Sequence, residues 1–125
     1  MSAITITTAG RNLLRDGESG AQNPKITYVA LGTDSTAPVV GNTQLGAEVF
    51  RKQVTSYTNG ANGEVVINLY LSPSDLVGTT IQEVGFFGSN ATHTANSGTL
   101  LARGLYAHTK TNVESIQLSL DFSIT

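Results

Sequence analysis

The chain has 125 residues, of which 39% are hydrophobic, and this is enough material to bury the core of one domain. Only 13% of the residues are charged, about half the usual share of roughly 25%, and the formal net charge is −2. This balance, without any Lys/Arg-rich stripe, excludes a phosphate-binding surface, so we expect no nucleic-acid partner.

Three features that the sequence lacks indicate where the protein is made and which sites and partners to expect. The chain has no cysteine, which excludes disulfide bonds and thiolate metal sites. No apolar run approaches the roughly 20 residues that span a bilayer, so no membrane partner is expected. The first residues, Met1-Ser-Ala-Ile-Thr5, lack the basic and apolar regions of a signal peptide. We therefore expect synthesis in a bacterial-type cytoplasm.

Residues 8–16 are predicted to form a short N-terminal helix. The sequence offers a capping threonine, a short apolar face and glycine stops, supplied in turn by Thr7 or Thr8, by Leu13 and Leu14, and by Gly17 and Gly20. About two turns are too few to be stable without docking. The helix is therefore either a lid on one end of a sheet or, within an arm of residues 1–24, a contact to a neighbouring subunit through its two leucines.

From residue 25 onward the pattern predicts one antiparallel β domain that extends to residue 125. Segments rich in β-branched and aromatic residues, separated by glycine-rich turns, predict about six strands. We place these strands at residues 25–32, 47–58, 63–72, 81–89, 98–106 and 114–125, and allow one helical turn at 42–46. The linker Asn59-Gly-Ala-Asn-Gly63 has the residues with positive φ that a hairpin loop needs.

Two of these strands show clear alternation of apolar and polar residues. In the last strand, apolar residues stand at positions 116, 118, 120, 122 and 124. Positions 65, 67, 69 and 71 form a similar apolar face. Such period-two segments are typical of a sheet that is wet on one side. With the regular turns, they predict a mainly β fold, either a small antiparallel β-sandwich or a partly open barrel, with one short N-terminal helix.

A carboxylate and a guanidinium stand out in the otherwise apolar hairpin of residues 81–106. If the loop between the strands is symmetric about His93, Glu83 lies directly opposite Arg103. Such a pair on an apolar face is partly desolvated, and it fixes strand register more than it adds stability. We interpret Glu83 and Arg103 as a structural pair, because no second acid, histidine or metal set accompanies Glu83.

Three residues of the hairpin are candidates for contact with other molecules. Phe86 and Phe87 are adjacent, so one ring points to each face of the strand. A sheet that is apolar on both faces needs cover on both sides, from a second sheet or from another subunit. His93 lies at a polar loop tip whose side chains can touch a partner surface. With Leu13 and Leu14, these residues form the candidate interface.

No catalytic constellation accompanies these residues. His93 and His108 lack a zinc spacing, and Asp34 and Asp75 have no third acidic residue nearby for Ca²⁺. Neither a Gly-x-Ser-x-Gly elbow nor a phosphate loop occurs. We therefore predict that the protein is not an enzyme, has no catalytic, cofactor-binding or metal-binding residues, and uses no cofactor.

Several segments resemble the tail-fibre and tail-collar proteins of bacteriophages. They are Ile81-x-Glu-Val-Gly-Phe-Phe87, Gly98-Thr-Leu-Leu-Ala-Arg103 and the alternating last strand, together with Ile26-Thr-Tyr-Val-Ala-Leu-Gly32 and Thr43-Gln-Leu-Gly-Ala-Glu-Val-Phe-Arg51. In that family a strand ending in glycine is followed by a Leu-x-x-Glu-x-x-Arg segment. The likeness spans most of residues 25–125.

The resemblance implies a non-enzymatic virion structural protein that assembles as a symmetric homo-oligomer, often a trimer in fibres, with other phage structural proteins as partners. In tail fibres a shaft and a receptor-binding tip generally follow this module, whereas this sequence ends within its last strand. We therefore expect a tail-associated fibre, collar or baseplate adaptor subunit.

Two alternatives to a tail subunit stay open. One is a capsid decoration protein that clamps adjacent shell subunits. The other is a carbohydrate-binding receptor-recognition module that stacks sugars on tyrosines at positions 28, 57, 70 and 106. In each case the protein would be located in the virion.

Overall fold

The computed structural model describes residues 4–61, 63–110 and 116–123. Within these ranges it contains one helix and eight strands. In chain order they are β1 (Ile4–Ile6), α1 (Thr8–Ser19), β2 (Tyr28–Gly32), β3 (Glu48–Gln53), β4 (Ser56–Asn59), β5 (Glu64–Leu71), β6 (Thr80–Phe87), β7 (Leu100–Thr109) and β8 (Ile116–Ser123).

The strands form two antiparallel sheets. The large sheet has the order β1-β7-β6-β2-β3, and the small sheet has the order β4-β5-β8. Neither sheet closes into a barrel. The predicted mainly β fold with one short helix is confirmed, and of its two forms the structure has the sandwich-like one.

The main core lies between the two sheets. The face of the large sheet that points to the small sheet, here called the inner face, carries the buried side chains of Val29, Leu31, Val84 and Phe86. From the small sheet, buried apolar residues of β5 complete the same cluster, namely Ile67, Leu69 and Leu71. The alternation in β5 therefore reflects one face packed against the large sheet.

The opposite face of the large sheet, here called the outer face, is covered by loops of the same chain. Tyr28, Ala30 and Phe87 form a second buried cluster there, together with Leu100, Leu45 and Ala91. Leu45 belongs to loop 33–47 and Ala91 to loop 88–99. We call these two loops the loop layer. Because the layer covers the outer face, β2 is buried on both of its faces.

Helix α1 is longer than the sequence predicts. It begins after Thr7, whose side chain accepts a hydrogen bond from the Gly10 amide at 2.9 Å. The helix continues past Asp16, since Gly17 is helical and packs against Pro24. It ends at Ser19, and Gly20 caps it with a φ of 79°. No helix in the described part of the chain is both long and apolar enough to cross a membrane.

Helix α1 closes one end of the sandwich. Leu13 is buried in the main core, and Leu14 lines an apolar groove of about 220 Å³ with residues of both sheets. That groove includes Tyr57 and Ile67 of the small sheet and Leu101 of the large sheet. The helix therefore has the position of a lid on the end of the sheets, which is one of its two predicted roles.

The predicted count of six strands was wrong in two places. Strand β1 was not predicted, because three residues are too few to show a period. The predicted strand 47–58 divides at Val54 and Thr55 into β3 and β4, which belong to different sheets. The helical turn allowed at 42–46 is also absent, since this segment of the structure is irregular.

Candidate functional site

Small residues at the centre of the outer face let loop 33–47 approach the sheet. Arg51, Ala30, Gly85 and Arg103 are neighbours in one row across β3, β2, β6 and β7. Leu45 fills the space above Gly85, where a Cβ atom would lie 2.6 Å from the Leu45 Cδ2 atom. The loop is thus seated in a depression with an arginine on each side.

The Glu83 carboxylate is fully buried and accepts four hydrogen bonds. Its Oε1 atom accepts from Arg103 Nε at 2.9 Å and from the Gly46 amide at 2.9 Å. Its Oε2 atom accepts from the amides of Asp34 at 3.1 Å and Ala47 at 2.8 Å. Four donors match the acceptor capacity of a carboxylate. Glu83 therefore fastens both ends of loop 33–47 to β6.

Arg103 fastens the beginning of the same loop. Its side chain is 2% exposed and its Nε atom lies 2.9 Å from Glu83 Oε1, so the predicted pair is present. Its two terminal nitrogens donate to the backbone oxygens of Thr36 at 2.9 Å and Asp34 at 3.4 Å. The ion pair is thus a link between the β6–β7 hairpin and loop residues that precede Glu83 and Arg103 by 36 to 69 positions in sequence.

The register predicted for this pair was wrong by two positions. Glu83 lies opposite Leu105, and Arg103 lies opposite Gly85. The pairing shifts between Phe86 and Phe87, which adds a residue to one strand and makes the hairpin asymmetric. Because two positions preserve the face of a strand, the two side chains still meet, but diagonally.

A second buried ion pair, which was not predicted, joins Glu48 and Arg51 of β3. Arg51 Nε lies 2.7 Å from Glu48 Oε2, and the side chains are 3% and 2% exposed. The guanidinium lies over the Phe87 ring, 4.4 Å from its centroid. Both residues belong to the Leu-x-x-Glu-x-x-Arg segment, which was the one sequence signal that could have pointed to them.

The Glu48–Arg51 pair fastens loop 88–99 in the way that Glu83 and Arg103 fasten loop 33–47. Arg51 donates to the backbone oxygens of Thr92 at 2.9 Å and Ser97 at 3.0 Å. Glu48 accepts from the Asn96 amide at 3.1 Å. Each loop of the layer therefore has its own buried Arg–Glu anchor on the outer face.

Asp34 stands at the edge of the first anchor. Hydrogen bonds from the Thr36 hydroxyl and amide hold the pKa of Asp34 below its ordinary value, and the nearby Arg103 guanidinium acts in the same direction. Asp34 is therefore a carboxylate that favours its charged form in the fold. Among the described residues no group of three or more His, Cys, Asp or Glu is arranged to hold a metal ion.

The five candidate interface residues are not alike in the structure. Leu13, Phe86 and Phe87 are buried within the chain at 3%, 0% and 0% exposure, so their prediction as an interface was wrong and they are core residues. Leu14 is half-buried along the apolar groove. His93 is exposed, with its ring edge-on to Tyr28 at 5.2 Å between centroids.

The tyrosines proposed as sugar platforms are engaged within the chain. Lys25 lies over the Tyr57 ring at 5.0 Å and Lys52 over the Tyr70 ring at 5.5 Å. Tyr28 is 9% exposed, and the fourth tyrosine, Tyr106, stacks with His108 at 6.3 Å. Each of the four rings therefore has a neighbour from this chain, and the two most exposed, Tyr57 and Tyr70, each have a lysine on one face.

Comparison of the sequence with protein-family models and with curated proteins found no match. The candidate site is therefore interpreted from its geometry, in which two buried ion pairs hold two loops against the large sheet.

Proposed function

We propose that the protein is a non-enzymatic structural subunit of a bacteriophage virion, located at the tail as a fibre, collar or baseplate adaptor subunit. One observation carries this proposal. In the resembling segments that lie within residues 26–103, the charged residues are the two buried anchors, Glu83 with Arg103 and Glu48 with Arg51. Their hydrogen bonds hold loops to the sheet, which is a structural role.

The exposed surface supports assembly with neighbours. Among residues whose side chains the structure describes, the well-exposed charged ones lie within 11–25, and they are Arg11, Arg15, Glu18 and Lys25. The remaining well-exposed residues of that set are uncharged and include Val39 and Val40 at 56% and 51% exposure. Depletion of charge is typical of the centre of protein–protein interfaces. We accordingly propose a symmetric homo-oligomer, a trimer by the resemblance, that contacts other virion proteins.

Copy number tests the location. Densitometry of purified virions on a stained gel, scaled to the major capsid protein, is expected to give a few to a few dozen copies of this subunit per particle. Hundreds of copies would contradict the tail location and favour a capsid decoration protein. Absence of the chain from purified particles would contradict both.

A further inference from the structure

Strand β8 forms one edge of the small sheet. It pairs with β5 without interruption, from Ser123 opposite Glu64 to Ile116 opposite Leu71. Within residues 4–61, 63–110 and 116–123, no strand pairs with its other side. An edge of this kind presents a row of backbone N–H and C=O groups that another strand can bind.

The other three sheet edges are short or protected, whereas β8 is neither. β1 has three residues and β4 has four. β3 contains Arg51 and Lys52 and an irregular register near Gly32. Proteins commonly protect edge strands with lysine, proline, bulges or shortness. β8 has eight residues, a regular register, no lysine or proline and a single charge at Asp121.

The two sheets also differ in width, since five strands face three. Only residues 54 and 55 separate β3 from β4, so those two edges lie together and β8 lies toward the β1 side of the large sheet. There Ile4 and Ile6 pack against the main core but remain only partly buried. A strand added beside β8 would widen the small sheet on the side where the small sheet covers the large sheet incompletely.

We propose that this strand is β8 of a second copy, paired antiparallel about a two-fold axis at Ser119. The resulting sheet has six strands in the order β4-β5-β8-β8-β5-β4. On this register Leu118 of one copy lies opposite Leu120 of the other, and Ile116 lies opposite Phe122. Gln117 lies opposite Asp121, so an uncharged position pairs with the acidic one. Apolar positions thus pair with apolar ones on this register.

The charge of Asp121 favours the axis at Ser119 over its neighbours. An axis at Asp121 would place the two carboxylates directly opposite each other, which is destabilising. An axis at Leu120 would leave them two residues apart along the strand, about 7 Å at roughly 3.4 Å per residue. An axis at Ser119 separates them by four residues, about 14 Å, which exceeds the Debye length of about 8 Å at physiological ionic strength.

The biological purpose of this contact rests on the proposed function, but the contact itself does not, because it forms between two copies of the chain in solution. A two-fold contact joins copies in pairs. Combined with the threefold order that we propose from the resemblance, it gives six copies per assembly. Hundreds of copies of this subunit per virion would contradict the tail location without contradicting the β8–β8 contact. Absence of the β8–β8 contact would contradict this inference without contradicting the tail location.

Cysteine cross-linking tests the register directly, because the natural chain has no cysteine. Opposite residues in an antiparallel pair have Cα atoms about 4.5–5.5 Å apart, within the range that a disulfide spans. We expect Ser119→Cys to form a disulfide-linked dimer on mild oxidation. The matched control is Ser56→Cys at the other edge of the same row, since Ser56 and Ser119 both pair with Asn68. Equal cross-linking of both variants, or of neither, would overturn the proposal.

A charge at the edge gives a second test that does not depend on oxidation. We expect Ser119→Lys to halve the molecular mass measured by sedimentation, because two lysines at the axis repel each other. Ser56→Lys is expected to keep the natural mass, and circular dichroism checks that both variants are folded. A natural protein that sediments as a monomer, or a Ser119→Lys variant of unchanged mass, would overturn the proposal. If Ser119→Lys does not fold, the cysteine pair decides alone.

Discussion

At Glu83 the fold places a carboxylate where water does not reach it, and four hydrogen bonds replace the lost hydration. A buried ion pair gains little net stability over a well-packed apolar pair, because desolvation offsets most of the attraction. The main contribution of the Glu83–Arg103 pair is that its carboxylate fixes the positions of backbone amides in the loop. The amides of Asp34, Gly46 and Ala47 point at one carboxylate and so determine the path of loop 33–47.

Substitution of Arg103 by alanine is expected to be strongly destabilising. It leaves Glu83 buried without its guanidinium and removes the donors to Thr36 and Asp34. Removal of one partner of a buried pair costs on the order of 3–5 kcal/mol. Urea unfolding at neutral pH, monitored by circular dichroism, measures the free energy of unfolding. Arg15→Ala, which removes the exposed partner of Asp16, is the control and is expected to change this free energy much less. Equal effects of both would contradict the anchoring role.

Asp34 makes the stability of the protein depend on acid pH. Hydrogen bonds from Thr36 hold its pKa in the fold below the ordinary value of 3.8, so its contribution is present above that pH and is lost as the pH falls through the lowered value. We expect the melting temperature to fall between pH 5 and pH 3, and to fall less in Asp34→Asn. The residual fall is expected because Asp16 and Asp75 also have lowered pKa values. An identical fall in both proteins would contradict this assignment.

The sequence predicted one anchor and not the other for a physical reason. Glu83 and Arg103 stand out because their own strands are apolar, so burial follows from the neighbours in sequence. Glu48 and Arg51 lie on an edge strand beside Lys52 and Gln53, which is the pattern of an exposed surface. Loop 88–99, more than 40 residues away in sequence, buries them. The alternation of residues within β3 cannot predict a contact with so distant a loop.

At the scale of elements, the docking of α1 depends on a glycine that contacts the sheet. A Cβ atom at Gly10 would lie 2.1 Å from the backbone oxygen of Leu101. Replacement of glycine by alanine ordinarily stabilises a helix by up to about 1 kcal/mol. Here we expect Gly10→Ala to destabilise the protein by roughly 1–3 kcal/mol, because the helix must move off β7. Thermal unfolding measures the change.

A second glycine provides the matched control for the helix prediction. Gly41 has no atom within 4 Å of the position of its Cβ and no positive φ. Gly41→Ala is therefore expected to be neutral or slightly stabilising. A Gly10→Ala variant that is as stable as Gly41→Ala would show that α1 tolerates displacement from the sheet.

Hairpins and buried strands could be predicted because their signals are local. The β4–β5 and β6–β7 hairpins follow from glycine-bearing loops between β-rich segments, and the burial of β5 follows from its alternation. The change of sheet at Val54 and Thr55 could not be predicted, since a strand that bends into a second sheet keeps the same composition. The bulge at Phe86 and Phe87 was missed for a related reason, because a single added residue leaves the apolar pattern intact.

At the scale of the whole molecule, the topology should make folding slow. β1 pairs with β7 across 100 residues of sequence, from Ile4 to Gly104, and β5 pairs with β8 across about 50. Loops of this length must close before their contacts form, and β proteins dominated by such pairs fold in milliseconds to seconds. Stopped-flow tyrosine fluorescence after dilution from urea measures the rate. Folding within microseconds would contradict this expectation.

The loop layer separates what must stay constant from what can vary. Between the contacts of Arg51 with Thr92 and Ser97, the tip at residues 93–96 is exposed. It contacts the sheet through the Asn96 amide, which donates to Glu48, and through the His93 ring, which lies edge-on to Tyr28. Exposed loop tips are where proteins accept insertions. A foreign peptide grafted between Thr94 and Ala95 would therefore be displayed on a rigid base, and this chain can serve as a scaffold for presenting short sequences.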